Sequence, residues 1–283
     1  MPPTLPSLAE TVAKHGLAAR KALGQHFLLD ATLCARIASI AAPLEGRQVL
    51  EIGPGPGGLT RALLDSPAAH VTAVELDRRA IAALEELSAA YPGRLSIVEG
   101  DALRIDAATL LPAPRRIVAN LPYNVGTALL IGWLHRAELF ESLTLMFQQE
   151  VAERITAAPD TEHYGRLAVL SQWRCQCRMT LRLPPGAFSP PPKVWSAIVH
   201  LVPHGTVPDP ALMAALERVT AAAFGQRRKM LRSSLKTLGR PEALLEAAGI
   251  EATRRAETLS VAEFERLATL LLAQERETVP PSP

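Results

Sequence analysis

Two stretches of this chain hold residues whose types and spacing could do chemistry. In Gly53-Pro54-Gly55-Pro56-Gly57-Gly58, the residues Gly53, Gly55 and Gly58 satisfy G-x-G-x-x-G. Glycines there let a backbone turn tightly and approach a ligand closely. Glu75, closing the next apolar run, is placed to bond a pair of ribose hydroxyls. These two features suit a nicotinamide dinucleotide and a nucleoside-bearing methyl donor equally. Three additions break the tie toward the methyl donor. Glu51 precedes the glycines in E-I-G-P-G-P-G. Gly100-Asp101-Ala102 supplies a carboxylate able to read an adenine amino group. Asn120-Leu121-Pro122-Tyr123, the second stretch, is the most informative of the three.

The elements that must position these groups alternate between short apolar runs and helix-periodic segments. Gln48–Ile52, His70–Glu75, Leu95–Glu99, Arg116–Ala119 and Leu143–Phe147 read as buried strands. Leu59–Leu64, Arg78–Ala90 and Thr127–Leu139 read as helices between them. This alternation predicts an α/β fold, a parallel sheet with helices on both faces and ligands at the carboxyl ends of the strands. Arg174–Leu183 and Ser196–Val202 read as two further strands joined by a Pro-rich turn, closing the sheet as an antiparallel pair. After the Pro/Gly-rich stretch Leu201–Pro210 only helices are expected: Ala211–Phe224, Arg227–Leu238, Pro241–Ala248 and Val261–Gln274, with Glu277–Pro283 as a loose tail. The expected organisation is therefore a domain over 1–204 and a smaller all-helical domain over 205–283.

The motifs VLEIGPGPGGLT (49–60), VELD (74–77), GDAL (100–103) and NLPYN (120–124) resemble those of S-adenosylmethionine-dependent N6-adenine methyltransferases. KALGQHFLLD (21–30), YGRLAVLSQ (164–172), FSPPPKV (188–194), FGQRRKMLRSSL (224–235) and LSVAEFERLA (259–268) narrow the resemblance to the rRNA adenine dimethylases, in their bacterial small-subunit branch. It runs from about Lys21 to Ala268, and the order and spacing of the motifs are far more specific than any one of them.

This resemblance implies a Rossmann-like methyltransferase sheet and a cytoplasmic enzyme. Such an enzyme uses S-adenosylmethionine to dimethylate N6 of two adjacent adenosines in a hairpin near the 3′ end of 16S rRNA. Its implied partner is an immature small ribosomal subunit, engaged by a monomer with no membrane and no metal. Carried over position by position, His26 and Leu28 touch the methionine side of the cofactor. Gly53 and Gly55 lie under it, Glu75 holds the ribose, Asp101 reads the adenine, and Asn120 stands between cofactor and target. His26 is often Asn in relatives, so it is given a polar contact and no proton transfer; a capping role is the alternative. Trp195 stands where relatives often carry Asp.

The chemistry such a site must do is well defined. The adenine N6 lone pair is delocalised into the ring, so acceptors aimed at its hydrogens are needed to orient it and favour sp³ character. The Asn120 side-chain carbonyl and the Leu121 backbone carbonyl offer two. Pro122 locks the corner, and Tyr123 offers a flat face to an extruded base. By resemblance Phe188 covers the opposite face; the alternative is a core aromatic anchoring its loop.

Formal net charge is only +2, from 30 Lys+Arg and 28 Asp+Glu. That excludes an all-over basic coat without excluding a local patch. Arg227, Arg228, Lys229, Arg232 and Lys236 form one such cluster, read as rRNA phosphate contacts on adjoining helical faces. Arg20, Lys21, Arg36 and Arg115-Arg116 add to the basic side. Three cysteines (Cys34, Cys175, Cys177) and no CxxC argue against a disulfide scaffold or a structural zinc site. No apolar run reaches the ~18 residues of a membrane span, and no signal peptide is visible at the N-terminus. A ribosome-assembly binding factor with secondary catalysis, a large-subunit rRNA adenine methylase and a nicotinamide dehydrogenase are the competing readings.

Overall fold

The computed structural model describes residues 5–18 and 25–278. Arg20, Lys21 and the Lys21–Gly24 part of the N-terminal signature lie outside them. So do residues 279–283, most of the expected tail; Glu277 itself continues the last helix.

In chain order the elements are α1 (Leu8–Lys14), β1 (Phe27–Leu28), α2 (Ala31–Ile40), β2 (Gln48–Ile52), α3 (Gly58–Leu64), β3 (His70–Glu75) and α4 (Arg78–Ala90). Next come β4 (Leu95–Glu99), α5 (Ala107–Leu110), β5 (Arg115–Asn120), α6 (Gly126–Leu134), β6 (Ser142–Gln148), α7 (Gln149–Thr156) and α8 (Arg166–Arg174). The last are β7 (Cys175–Leu183), β8 (Phe188–Ser189), β9 (Ser196–Pro203), α9 (Pro210–Gly225), α10 (Leu231–Ser234), α11 (Pro241–Ala247) and α12 (Val261–Thr278).

Seven strands form one sheet in the order β4-β3-β2-β5-β6-β9-β7. β4, β3, β2, β5 and β6 run parallel, and β9 joins β6 antiparallel with Leu143 opposite Leu201 and Gln148 opposite Ser196. Parallel strands carry helices on both faces, so their side chains are apolar on both sides. β2, β3 and β5 obey this, with Val49, Leu50, Val71, Ala73, Ile117 and Val118 all buried. The strand order reverses between β2 and β5, which opens a crevice at their carboxyl ends. A separate two-stranded ladder pairs β1 with β8, Leu28 opposite Phe188.

The chain divides into two compact units. One comprises 1–133, 138–152 and 178–203; the other comprises 134–137, 153–177 and 204–283. The second unit thus takes in α8 as well as the C-terminal helices. Its core explains this: Tyr164 donates its hydroxyl to the Leu259 carbonyl at 2.8 Å, and the Tyr164, Phe224 and Phe264 rings pack in succession. A segment upstream in sequence is therefore needed to seal the helical core.

The basic run departs from the expected single helix over 227–238. Residues 226–229 form a turn and bend, Met230 bridges to Arg255 before the short α10, and a 3-10 turn spans Leu235–Leu238. Arg227 donates to the Glu162 carbonyl at 2.7 Å and to that of Thr161 at 3.3 Å, so it fastens its turn to the 161–162 loop. Arg228, Lys229, Arg232 and Lys236 are exposed. Arg115 and Arg116 also need correction as surface charges. They lie within β5, and Arg116 is buried against Glu141, a pairing that a mid-sheet cation requires.

Candidate active site

A cleft of about 130 Å³ opens at the carboxyl ends of β2, β3 and β5. Its walls include Gln25–Leu28, Glu51–Pro56, Val74–Leu76, Gly100–Ala102 and Asn120–Val125. Every sequence-predicted cofactor residue (His26, Leu28, Gly53, Gly55, Glu75, Asp101 and Asn120) stands on this wall, as do Leu121, Pro122 and Tyr123. The four separate motifs meet because each closes a neighbouring parallel strand.

The glycine loop is shaped first by the chain's own packing. Gly53, Gly55 and Gly57 have φ of 65°, 56° and 86°, a region that side-chain-bearing residues rarely occupy. A Cβ on Gly55 would lie 2.8 Å from the Phe27 ring, and one on Gly58 would lie 2.4 Å from the Leu28 carbonyl oxygen. The loop is therefore clamped by the strap Gln25–Leu28, and the glycines make that approach possible. Glu75, only 7% exposed, fixes the other side. Its Oε2 accepts from the Gly55 N–H at 3.0 Å, and its Oε1 accepts from those of Leu76 and Asp77 at 2.8 and 2.9 Å. Burial raises its pKa and these N–H groups lower it, with a net upward shift. Glu75 thus shapes the loop besides facing the cleft, a role spacing alone did not reveal.

Glu51, which the sequence groups with Glu75 and Asp101 around the cofactor loop without a contact of its own, belongs to the same wall. It is 2% exposed, lines the cleft, and its Oε2 has no hydrogen-bond partner. Burial, with the neighbouring Glu75 charge adding to it, pushes its pKa up to about 8. Its sequence signals are its place before the glycines in E-I-G-P-G-P-G and a carboxylate inside an otherwise apolar strand. Leu76, 55% exposed, adds an apolar face to the same wall. Asp101 caps the following turn through the Leu103 N–H at 3.0 Å.

Across the cleft, Asn120 donates its side-chain N–H to the His26 backbone carbonyl at 3.0 Å. With the nitrogen so committed, the amide oxygen is the group left to accept from a ligand. His26 donates Nδ1–H to the Pro190 carbonyl at 2.8 Å, and its ring lies 5.3 Å from the Tyr123 ring at a 31° tilt. The Tyr123 hydroxyl meets Ser196 Oγ at 2.6 Å. The resulting wall is a row of Asn, Tyr and His held by β9 and the 190–196 loop.

Phe188 is placed differently from the second stacking face expected of it. It is 5% exposed and packs in the core with Leu28, Val118, Met146 and Ile198, away from the cleft lining. Its pairing with Leu28 across the β1–β8 ladder makes it the anchor of the strap, the alternative its loop position left open. Among the described residues no group of three or more His, Cys, Asp or Glu side chains could hold a metal ion, and no helix is long and apolar enough to cross a membrane.

The residues present fit S-adenosylmethionine. An unpartnered buried carboxylate oxygen suits a cationic ligand, while the glycine cradle, Glu75 and Leu76 suit a nucleoside. Sheet and cleft together define a Rossmann-like S-adenosylmethionine-dependent methyltransferase. The family model for ribosomal RNA adenine dimethylase matches residues 16–273, and the chain belongs to that family. It is an S-adenosylmethionine-dependent rRNA adenine methyltransferase.

The chain is 65% identical over 270 residues to the ribosomal RNA small subunit methyltransferase A of Gluconobacter oxydans, covering 95% of this chain and 89% of that one. It is 58% identical over 270 residues to the protein of the same name from Paramagnetospirillum magneticum, covering 95% and 96%. Among solved structures, a dimethyladenosine transferase from Plasmodium falciparum superposes with a TM-score of 0.76 at 25% identity, covering 90% of this chain and 99% of that one. The 23S rRNA methyltransferase ErmE superposes with a TM-score of 0.66 at 28% identity, covering 87% and 99%.

Proposed function

We propose that this enzyme dimethylates N6 of two adjacent adenosines in the hairpin near the 3′ end of 16S rRNA, acting in the cytoplasm as a monomer on an immature small subunit. The names of relatives at 65% and 58% identity support the small-subunit substrate over a large-subunit one. The observation that carries the chemistry is the committed Asn120 amide beside the Tyr123 ring.

S-adenosylmethionine supplies an activated methyl group on a sulfonium and needs no further activation by the protein. His26, Leu28, Gly53, Gly55, Glu75 and Asp101 would hold it, and the unpartnered Glu51 carboxylate would supply a counter-charge to its sulfonium. Asn120 Oδ1 and the Leu121 carbonyl accept the N6 hydrogens of the extruded adenine. They hold the nitrogen in line and favour its pyramidal form. Pro122 has no N–H to compete and fixes φ at that corner. Tyr123 stacks on the base, repaying part of the cost of unstacking it.

The exposed Arg228, Lys229 and Arg232 supply phosphate contacts that position the particle without reading sequence. Arg227, tied to two backbone carbonyls, contributes by holding that turn. Incubation with methyl-labelled cofactor and small subunits from a strain lacking this methylation, followed by a mass-spectrometric map, should place label on two adjacent adenosines. No label on 16S rRNA would reject the reading. The exposed basic run also supports a role as an assembly factor. Asn120→Ala that binds particles yet cannot methylate would separate the two activities.

A further inference from the structure

We infer that Trp195, with Lys193, forms a nucleotide-binding rim outside the cleft. There the indole stacks on an unpaired base flanking the target adenosine, and the ammonium meets the adjoining phosphate. This rests on the RNA substrate proposed above and adds a positioning residue to it.

Among the described residues Trp195, at 49% exposure, is the one aromatic side chain that stands out into solvent. Exposing so large an apolar ring is unfavourable unless something covers it. Its place in the fold says what. β9 runs antiparallel to β6 with Ser196 opposite Gln148, so the residue before Ser196 lies at the carboxyl end of the parallel strands, where the cleft opens. Ser196 is buried and meets the Tyr123 hydroxyl at 2.6 Å. Trp195 is therefore one peptide away from a direct anchor of the proposed base-stacking ring. Trp195 lies just before β9, whose first four residues, Ser196–Val199, are all buried, so exposure begins where the strand ends.

The rim is also stiff. The Pro190 carbonyl accepts from His26 Nδ1, and the Trp195 carbonyl accepts from the Gln149 N–H at 2.8 Å. Pro190-Pro191-Pro192 fills much of the span between these anchors, so little backbone freedom is lost on binding. Lys193 and Val194 are exposed alongside. A cation next to an aromatic face on a rigid edge is the combination that recognises single-stranded nucleic acid.

The test is steady-state methylation of undermethylated small subunits by wild type, Trp195→Ala, Trp195→Phe and Trp195→Leu. Wild-type labelling is scored first, because its absence would defeat the proposed substrate and not this inference. Trp195→Ala should raise KM for the particle roughly tenfold, as loss of one stacked base predicts. Its kcat, its cofactor affinity and its Tm should remain near wild type. Trp195→Phe should restore most of the KM, and Trp195→Leu should not. A KM unchanged in the alanine variant, or restored equally by leucine, would overturn the stacking role.

Discussion

The two walls of the cleft are built on different principles. The wall of Gly53–Gly58, Glu51 and Glu75 is over-determined: Gly55 and Gly58 leave no room for a Cβ against the strap, and Glu75 takes three backbone N–H groups. The wall of Asn120–Tyr123 rests on a few discrete hydrogen bonds, to the His26 carbonyl and Ser196, with an amide oxygen left over. The first suits a ligand that is identical in every cycle. The second suits a base that must enter, be methylated twice and leave. Substitutions in the first wall should therefore act on folding and cofactor affinity, and those in the second on turnover.

The largest effect should come from Gly58→Ala, whose Cβ would meet a backbone carbonyl that cannot rotate away. Either α3 or the Gln25–Leu28 strap must shift, a strain of roughly 3 kcal/mol and a Tm loss on the order of 5–10 °C. Calorimetry of the variant and titration with S-adenosylmethionine should show both stability and affinity falling. A normal Tm would mean that the strap is not part of this wall.

Asn120→Ala should do the opposite. Losing one preorganised acceptor should lower kcat about 100-fold, with Tm and cofactor affinity close to wild type. Single-turnover methylation at saturating cofactor reads this directly. An equal loss of cofactor affinity would erase the distinction between the walls.

Much of this division was legible beforehand, for a physical reason. Strands buried on both faces must be apolar throughout, so Gln48–Ile52 and His70–Glu75 stand out, and the chemistry follows at their carboxyl ends. Helix phasing also marked Arg78–Ala90. What stayed hidden depends on partners distant in sequence. Phe27–Leu28 and Phe188–Ser189 are strands only because they pair with each other, and that pairing turns Phe188 into a core anchor. A run of charges carries no sign of its partners; only the Thr161 and Glu162 carbonyls beside Arg227 set it apart from Arg228. Glu51 looked like part of a motif; its burial and unpartnered oxygen are properties of the packed sheet.

Glu51 also gives the first wall a pH signature. Its folded pKa of about 8 lies above the ordinary 4.5. Between those values the unfolded chain binds fewer protons than the folded one, so this group makes stability fall as pH rises from about 4.5 to 8. Glu51→Gln should remove that slope, leaving the variant more stable than wild type above pH 8 and similar near pH 4.5, as Tm measured across pH would show. Added S-adenosylmethionine should narrow the gap at high pH, because its positive charge favours the ionised carboxylate. A parallel pair of Tm curves would mean that Glu51 does not titrate in this range.

The smallest expected effect probes what the second wall needs from Tyr123. Tyr123→Phe keeps the ring and loses only the 2.6 Å contact with Ser196, a net change of about 1 kcal/mol in positioning. Tyr123→Ala also removes the stacking face, about 1–3 kcal/mol more. In kcat/KM the phenylalanine variant should fall a few-fold and the alanine variant roughly tenfold further. Equal losses would assign the role to the hydroxyl and its hold on β9, making this wall as dependent on internal anchoring as the glycine loop. Unequal losses would confirm that it works by presenting a surface to a transient guest.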